Sequence, residues 1–158
     1  MDERLQFMKT LAEDAGYVIM SFWPDDVPSR LKDDGSVVTE ADDKVSELTQ
    51  ERISKEFPDD GILDEEGRDS GERLEKKTVW IVDPLDGSGD FERKEEDFCY
   101  QIALVEDGIV KLAVVYEPGK NRMIFAEKGE GAWDCTHNGA PAFRLDPLRP
   151  ISWEWSLV

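Results

Sequence analysis

The stretch from Trp80 to Ser88 constrains this chain more than any other, because an apolar run leads directly into two aspartates and a glycine. Its sequence is Trp-Ile-Val-Asp-Pro-Leu-Asp-Gly-Ser. The apolar part is typical of a buried strand, and the residues after it place two carboxylates and a hydroxyl at the strand's carboxyl end. Pro84 stiffens the turn between Asp83 and Asp86, so both carboxylates could face one pocket. The pattern suits a hard cation and a phosphate better than a core.

Upstream of this stretch, the pattern predicts two helices joined by a loop. Apolar residues recur at three- and four-residue intervals over residues 5–22, which predicts an amphipathic helix. Residues 24–38 are polar and broken by proline and glycine, so they predict a loop or a mobile flap. Thr39 can cap the second helix, and Asp42 follows three residues later, as in a capping box. Phe57 and the proline after it end that helix.

Downstream, the pattern changes to short strands separated by turns. The predicted strands cover residues 62–63, 78–82, 98–105, 109–116 and 122–126, with a short segment at Trp133. Asp107-Gly108 and Asn138-Gly139 are hairpin signals. Helices followed by a meander predict the α+β class, with amino-terminal helices packed on a largely antiparallel sheet. We expect one domain over residues 1–145 and an irregular Trp-rich tail over 146–158 that docks on the core or forms a partner surface.

The charge balance limits the classes of partner. The 158 residues contain 37 acidic and 19 basic side chains, a formal charge of −18. That charge argues against binding to nucleic acid or to an anionic membrane. Cys99 and Cys135 are in no metal-like spacing and are expected to be reduced thiols in strands. A cytoplasmic location is expected, because the sequence shows neither a signal peptide nor an apolar stretch of membrane-spanning length.

Several acidic residues each follow an apolar segment: Asp42, Glu65, Asp83 and Asp86. Taken singly, each has a structural explanation, as a helix-capping acid, a solvated loop charge or a turn former. Together they favour a Mg²⁺ site, since Mg²⁺ takes octahedral oxygen ligands and keeps several waters. Two such ions can activate a water and stabilise the leaving oxygen of a phosphate ester. The Gly87 and Ser88 amides could hold phosphate oxygens if a helix starts there.

Other motifs fail on spacing. An EF-hand loop starting at Asp83 would place Leu85 where an oxygen ligand is needed. A phosphoryl-aspartate enzyme needs two acids separated by one residue, whereas Pro84 and Leu85 intervene here. There is no phosphate loop of the Gly-Lys-Ser/Thr type. His137, the only histidine, lies in a predicted hairpin turn, and with Cys135 it makes half a zinc site without a second pair.

The motif resembles the hallmark of the inositol monophosphatase superfamily of Mg²⁺-dependent, lithium-sensitive phosphatases, a strand ending in Asp-Pro-Ile/Leu-Asp-Gly-Thr/Ser. Further blocks occur in the family's order: the Glu65-Glu66 pair, the flap and helix start at residues 32–42, and the strand-and-turn series at 102–108, 114–116 and 129–133. The resemblance extends to about Leu145 and implies the first half of the sugar/inositol phosphatase layered sandwich. Members have a second half with another metal-binding aspartate in a Trp-Asp motif. Trp133-Asp134 matches the strand series instead, so we expect an amino-terminal half.

The resemblance also implies residue roles. The implied metal ligands are Glu65, Asp83, Asp86 and the Leu85 carbonyl, for two or three Mg²⁺ ions. Asp42 and Ser88 would polarise the attacking water, and the Gly87 and Ser88 amides would hold the phosphate. Glu66 and Thr39 would hold these groups in position without binding the ion themselves.

Two functions follow as hypotheses. The first is a Mg²⁺-dependent phosphomonoesterase acting on a small metabolite, either a 3'(2'),5'-bisphosphate nucleotide or an inositol or sugar phosphate. Leu85 and the sequence Gly89-Asp90-Phe91 resemble the bisphosphate nucleotidase branch. The alternative is a truncated, catalytically silent fragment that binds metal or a partner protein. A third possibility, which concerns assembly, is that two chains associate into a homodimer that rebuilds the missing half-site.

Overall fold

The computed structural model describes residues 2–23, 25–69, 71–136 and 142–145. Within these ranges the chain has the predicted α+β architecture. The helices are α1 (Glu3–Phe22), α2 (Glu40–Glu56) and the short α3 (Ser88–Glu92). The strands are β1 (Ser29–Leu31), β2 (Val37–Thr39), β3 (Gly61–Asp64), β4 (Thr78–Asp86), β5 (Cys99–Glu106), β6 (Ile109–Glu117), β7 (Arg122–Glu127), β8 (Gly131–Thr136) and β9 (Phe143–Arg144).

The main sheet follows the order of the chain. Its seven strands run from β3 to β9, and each strand pairs with the next one in sequence. β3 and β4 are parallel, and every later pair is antiparallel. The predicted hairpin turn between β5 and β6 is confirmed, with φ of 49° at Asp107 and 74° at Gly108. The hairpin predicted at 138–139 and the tail over 146–158 lie outside the described residues.

Helices α1 and α2 cover one face of this sheet. The alternate residues of β4 to β7 that face the helices are buried, which explains the period-two apolar pattern. Trp80 is completely buried and packs on Phe57 and Phe7, with ring centroids 5.1 and 5.7 Å away. Its indole Nε1–H donates to Asp60 over 2.9 Å. None of the helices in the described ranges is long and apolar enough to cross a bilayer.

The structure differs from the sequence prediction at two places that border the motif. Strand β4 does not end at Val82 but continues through Asp86, where it pairs with Cys99. The register shifts between Asp83 and Asp86, because Pro84 has no amide N–H to donate and the strand bulges around it. The predicted loop over residues 24–38 contains β1 and the first two residues of β2, and these strands pair as an antiparallel hairpin.

Candidate active site

The β4 bulge sets the backbone of the site. Within the bulge, the Leu85 amide donates to the Asp83 carboxylate over 3.2 Å. Gly87 follows with φ of 88°, and a Cβ added there would lie 2.5 Å from the Asp97 carbonyl oxygen. Glycine is therefore required both by the backbone conformation and by the close approach. Helix α3 then starts at Ser88, as the phosphate-binding hypothesis requires.

Asp42 joins helix α2 to this bulge. It is 1% exposed and forms a capping box with Thr39, as predicted. Its Oδ2 accepts from the Thr39 amide over 2.8 Å and from the Thr39 hydroxyl over 2.6 Å. Its Oδ1 lies 2.5 Å from the Ser88 hydroxyl, which is also 2.8 Å from the Leu85 carbonyl oxygen. The cap of α2 therefore brings a carboxylate to Ser88.

Glu65 and Glu66 reach the same edge because β3 and β4 are parallel. The Glu65 amide donates to the Val82 carbonyl over 3.1 Å, which sets the turn beside the end of β4. Lys32 lies in the β1–β2 hairpin, and its ammonium is 2.9 Å from Glu65 and 2.6 Å from Glu66. Burial raises the pKa of Glu66, while the Lys32 contact opposes that rise.

Asp86 is held by residues of the neighbouring strand β5. Gln101 Nε2 donates to Asp86 over 2.6 Å, and the Cys99 thiol lies 3.9 Å from the same oxygen. Burial raises the pKa of the Cys99 thiol to about 12, and the charge of Asp86 adds to the effect. Both cysteines are free and half-buried in strands, as expected. Gln101 was not among the predicted site residues, and its only signal in the sequence is that it is a polar residue at an alternate position of an apolar strand.

The pKa of Asp83 shows that the charges of the predicted acids influence one another. Burial raises the pKa of the Asp83 carboxyl to about 7, and the charges of Glu65 and Asp86 add to the effect. Asp42 makes a smaller contribution of the same sign. Four acids from three separate stretches of the chain are thus within electrostatic reach at one edge of the sheet. A bound divalent cation would relieve this repulsion.

The donor chemistry fits Mg²⁺, although the side chains are engaged elsewhere. In the part of the chain that the structure describes, no group of three or more His, Cys, Asp or Glu side chains is arranged to hold a metal ion. The contacts explain this: Glu65 binds Lys32, and Asp86 binds Gln101. The potential ligands are all oxygens, which are the ligands of Mg²⁺ rather than of Zn²⁺ or copper. The side chains of Glu65 and Asp86 are both exposed, so each has room to exchange its present partner for an ion.

Two acids outside the predicted set have structural partners. Asp134, in the Trp-Asp pair of β8, is 4% exposed, and its carboxylate is 2.6 Å from the Arg122 guanidinium. This agrees with its assignment to the strand series. Asp64, directly before Glu65, is buried and accepts hydrogen bonds from α2. His137 lies outside the described residues, so the zinc half-site with Cys135 has no structural account.

The chain resembles solved phosphatases in both sequence and fold. It is 38% identical over 136 residues to the fructose-1,6-bisphosphatase/inositol-1-monophosphatase of Thermotoga maritima, covering 83% of this chain and 50% of that protein. It is 33% identical over 131 residues to the 3'(2'),5'-bisphosphate nucleotidase CysQ of Aggregatibacter actinomycetemcomitans, covering 82% and 49%. The chain therefore spans about half the length of the curated relatives it matches.

The structural comparison gives the same result. A Thermotoga maritima IMPase matches with a TM-score of 0.77 and 33% identity, over 88% of this chain and 52% of that chain. An IMPase/NADP phosphatase complexed with Mg²⁺ and phosphate matches with a TM-score of 0.73 and 26% identity, over 87% and 53%. The model of the inositol monophosphatase family matches residues 1–149. This chain belongs to the inositol monophosphatase family.

Proposed function

We propose that this chain is a Mg²⁺-dependent phosphomonoesterase that hydrolyses a small phosphorylated metabolite. The observation that carries the proposal is the contact of the buried Asp42 carboxylate with the half-buried Ser88 hydroxyl, next to an Asp83 whose pKa is raised to about 7. The capping box uses only the Asp42 oxygen that faces Thr39, so helix capping does not account for the other oxygen at Ser88 beside a cluster of repelling acids. Perturbed carboxylates of this kind are typical of catalytic sites.

The residues that would hold Mg²⁺ are Glu65, Asp83, Asp86 and the Leu85 carbonyl, with two or three ions expected from the family. When bound, Mg²⁺ would activate a water and stabilise the leaving oxygen of the phosphate ester. A relative of this fold is described as a complex with Mg²⁺ and phosphate, which supports the choice of ion and anion. Thr39 and Glu66 would support these groups, since Thr39 fixes Asp42 and Glu66 shares the Lys32 ammonium.

The chain's own residues would orient the water and the phosphate. The Ser88 hydroxyl donates its hydrogen bond to Asp42. A lone pair of the Ser88 oxygen would therefore be left to accept a hydrogen bond from the attacking water. Asp42 is held by two bonds to Thr39, so this orientation exists before substrate binds. The Gly87 and Ser88 amides would donate to the phosphate oxygens, where the missing side chain of Gly87 allows close approach.

We propose a 3'(2'),5'-bisphosphate nucleotide or an inositol or sugar phosphate as the substrate. Relatives named for both classes match this chain. The sequence Gly89-Asp90-Phe91 after the motif favours the nucleotide. Lithium sensitivity and a cytoplasmic location stay predictions.

Phosphate release tests the proposal. Wild-type protein with Mg²⁺ should release phosphate from at least one of these substrates, and chelation by EDTA should abolish the release. Asp86→Ala should lose the activity because it removes a proposed ligand. Asp97→Asn is the matched control, since its side chain is 81% exposed and its partner is the surface residue Lys120. Equal release by wild type and Asp86→Ala would overturn the assignment.

A second candidate function is a metal-binding module without turnover that binds a partner protein. The observation in its favour is an apolar groove of about 450 Å³ beside Glu65 and Asp83, on the sheet face away from α1 and α2. Ile81, Ala103 and Val115 line it, and Ile81 is 41% exposed. Calorimetry with Mg²⁺ or Mn²⁺ and a size measurement separate the two functions. Metal binding without phosphate release favours the module, and release by a monomer excludes both this module and the homodimer alternative.

A further inference from the structure

Asp64 is a buried carboxylate placed directly before the predicted metal ligand Glu65. It is 6% exposed at the end of β3. Its Oδ2 accepts from the Ser46 hydroxyl over 2.8 Å and from Gln50 Nε2 over 3.0 Å, both on helix α2. Its Oδ1 accepts from the Glu66 amide over 3.0 Å. One carboxylate therefore joins α2 to the backbone of the Glu65-Glu66 turn.

The backbone is folded tightly around this carboxylate. The Asp64 carbonyl accepts from the Gly67 amide over 3.1 Å, which closes the turn. A Cβ added at Gly67 would lie 2.8 Å from Gln50 Nε2 and 3.0 Å from the Asp64 Cβ. Gln50 also donates to Ser46 over 2.9 Å, so the two helix residues that hold Asp64 hold each other. The turn over residues 64–67 therefore has little freedom relative to α2.

This clamp complements the anchoring of Glu65 to strand β4. The Glu65 amide donates to Val82 on one side, while the Glu66 amide donates to Asp64 on the other. The Glu65 side chain itself is exposed, and Lys32 is its charged partner. A ligand side chain that is free to move benefits most from a fixed backbone, because less ordering remains to be done when an ion binds.

We propose that Asp64 is a positioning residue for the metal-binding acids, fixing the Glu65-Glu66 turn to helix α2 so that Glu65 meets the ion on a rigid backbone. The proposal rests on the proposed function, because it assigns Asp64 a role in the same site. Asp64 would not touch the ion or the substrate. Its side chain faces Ser46, Gln50 and the Glu66 amide, and these donors account for both of its oxygens.

The Asp64→Ala variant tests this role by metal affinity. Alanine has no side-chain oxygen to accept from Ser46, Gln50 or the Glu66 amide, so both sides of the clamp are lost. We expect the Kd for Mg²⁺, measured by calorimetry, to rise about tenfold, as for the loss of other groups that orient metal ligands. Asp60→Ala is the matched control: Asp60 directly precedes the first residue of β3, and its carboxylate binds Arg4 and Trp80. It should lower the melting temperature without changing the Kd.

A second readout does not depend on metal. Hydrogen exchange at the Glu66 and Gly67 amides of the metal-free protein should accelerate at least tenfold in Asp64→Ala and stay unchanged in Asp60→Ala. Ser46→Ala removes a single donor to Asp64 and should accelerate exchange at the same two amides by a smaller factor.

The outcomes are distinct. Unchanged exchange in Asp64→Ala, or equal losses of metal affinity in Asp64→Ala and Asp60→Ala, would overturn the positioning role. A wild-type protein that binds no Mg²⁺ would contradict the proposed function and, with it, the role of Asp64 toward metal. The exchange rates would then report only whether the clamp itself exists.

Discussion

Replacing Asp42 separates its structural role from its proposed chemical role. Asp42→Asn keeps one oxygen, which must stay on the Thr39 side because the Thr39 backbone N–H cannot turn away. The new amide N–H₂ then faces the Ser88 hydroxyl. That hydroxyl can accept from it while donating to the Leu85 carbonyl, 2.8 Å away. Every polar group in the contact keeps a partner, and only the charge is lost.

Asp42→Ala has no such compensation. It removes the side-chain half of the capping box, at about 1 kcal/mol. It also leaves the Thr39 amide without its acceptor at a residue that is 0% exposed, at about 2 kcal/mol. We expect the free energy of unfolding to fall by about 3 kcal/mol in Asp42→Ala and by about 1 kcal/mol in Asp42→Asn. In a domain of this size the melting temperature would fall by about 9 and about 3 °C respectively.

The assay pairs urea unfolding with phosphate release in Mg²⁺. Both variants should lose activity by roughly a hundredfold or more, because neither has a carboxylate at Ser88 to orient the water. Stability would thus distinguish the variants while activity would not. An active Asp42→Asn protein would refute the catalytic role of Asp42. Equal destabilisation of the two variants would refute the capping argument.

Two further predictions concern packing and pH. In Gly16→Ala, the new Cβ would lie 2.3 Å from the Tyr116 ring, so the free energy of unfolding should fall by about 2 kcal/mol in urea denaturation. Tyr17→Ala, at a site 85% exposed, should change it little; equal effects would contradict the packing. The folded-state pKa of Asp83, about 7, exceeds the ordinary 3.8, so metal-free protein should lose stability as pH rises from about 4 to 7. Asp83→Asn should flatten this dependence and add about 2 kcal/mol at pH 8 after allowance for solvent screening, and an unchanged pH profile would count against the raised pKa.

Local signals in the sequence predicted the elements that carry the site. The period of the apolar residues predicted both helices, and Thr39 with Asp42 predicted the cap that the structure contains. Asp107-Gly108 predicted the β5–β6 hairpin because few other residues accept positive φ at both central turn positions. These features depend on neighbours in the chain, so a single sequence reveals them.

Contacts between distant residues were not predictable in the same way. Pro84 is a local signal for an interrupted ladder, but the resumption of pairing at Asp86 depends on strand β5, which lies further along the chain. Ser88 meets Asp42 across 46 residues, and Lys32 meets Glu65 across 33, because the sheet and hairpin bring them together. Gln101 contacts Asp86 only because the ladder shifts register beyond Asp83. The resemblance to a family indicated which acids converge, and the structure adds the groups that hold them.

A titration of the metal-free protein with Mg²⁺ in a calorimeter tests the central claim most directly, because the claim is that these acids form a metal site. Wild type and Asp97→Asn should bind with the same Kd, and Asp86→Ala should bind at least about tenfold more weakly. No binding by wild type, or equal binding by Asp86→Ala, would contradict the account.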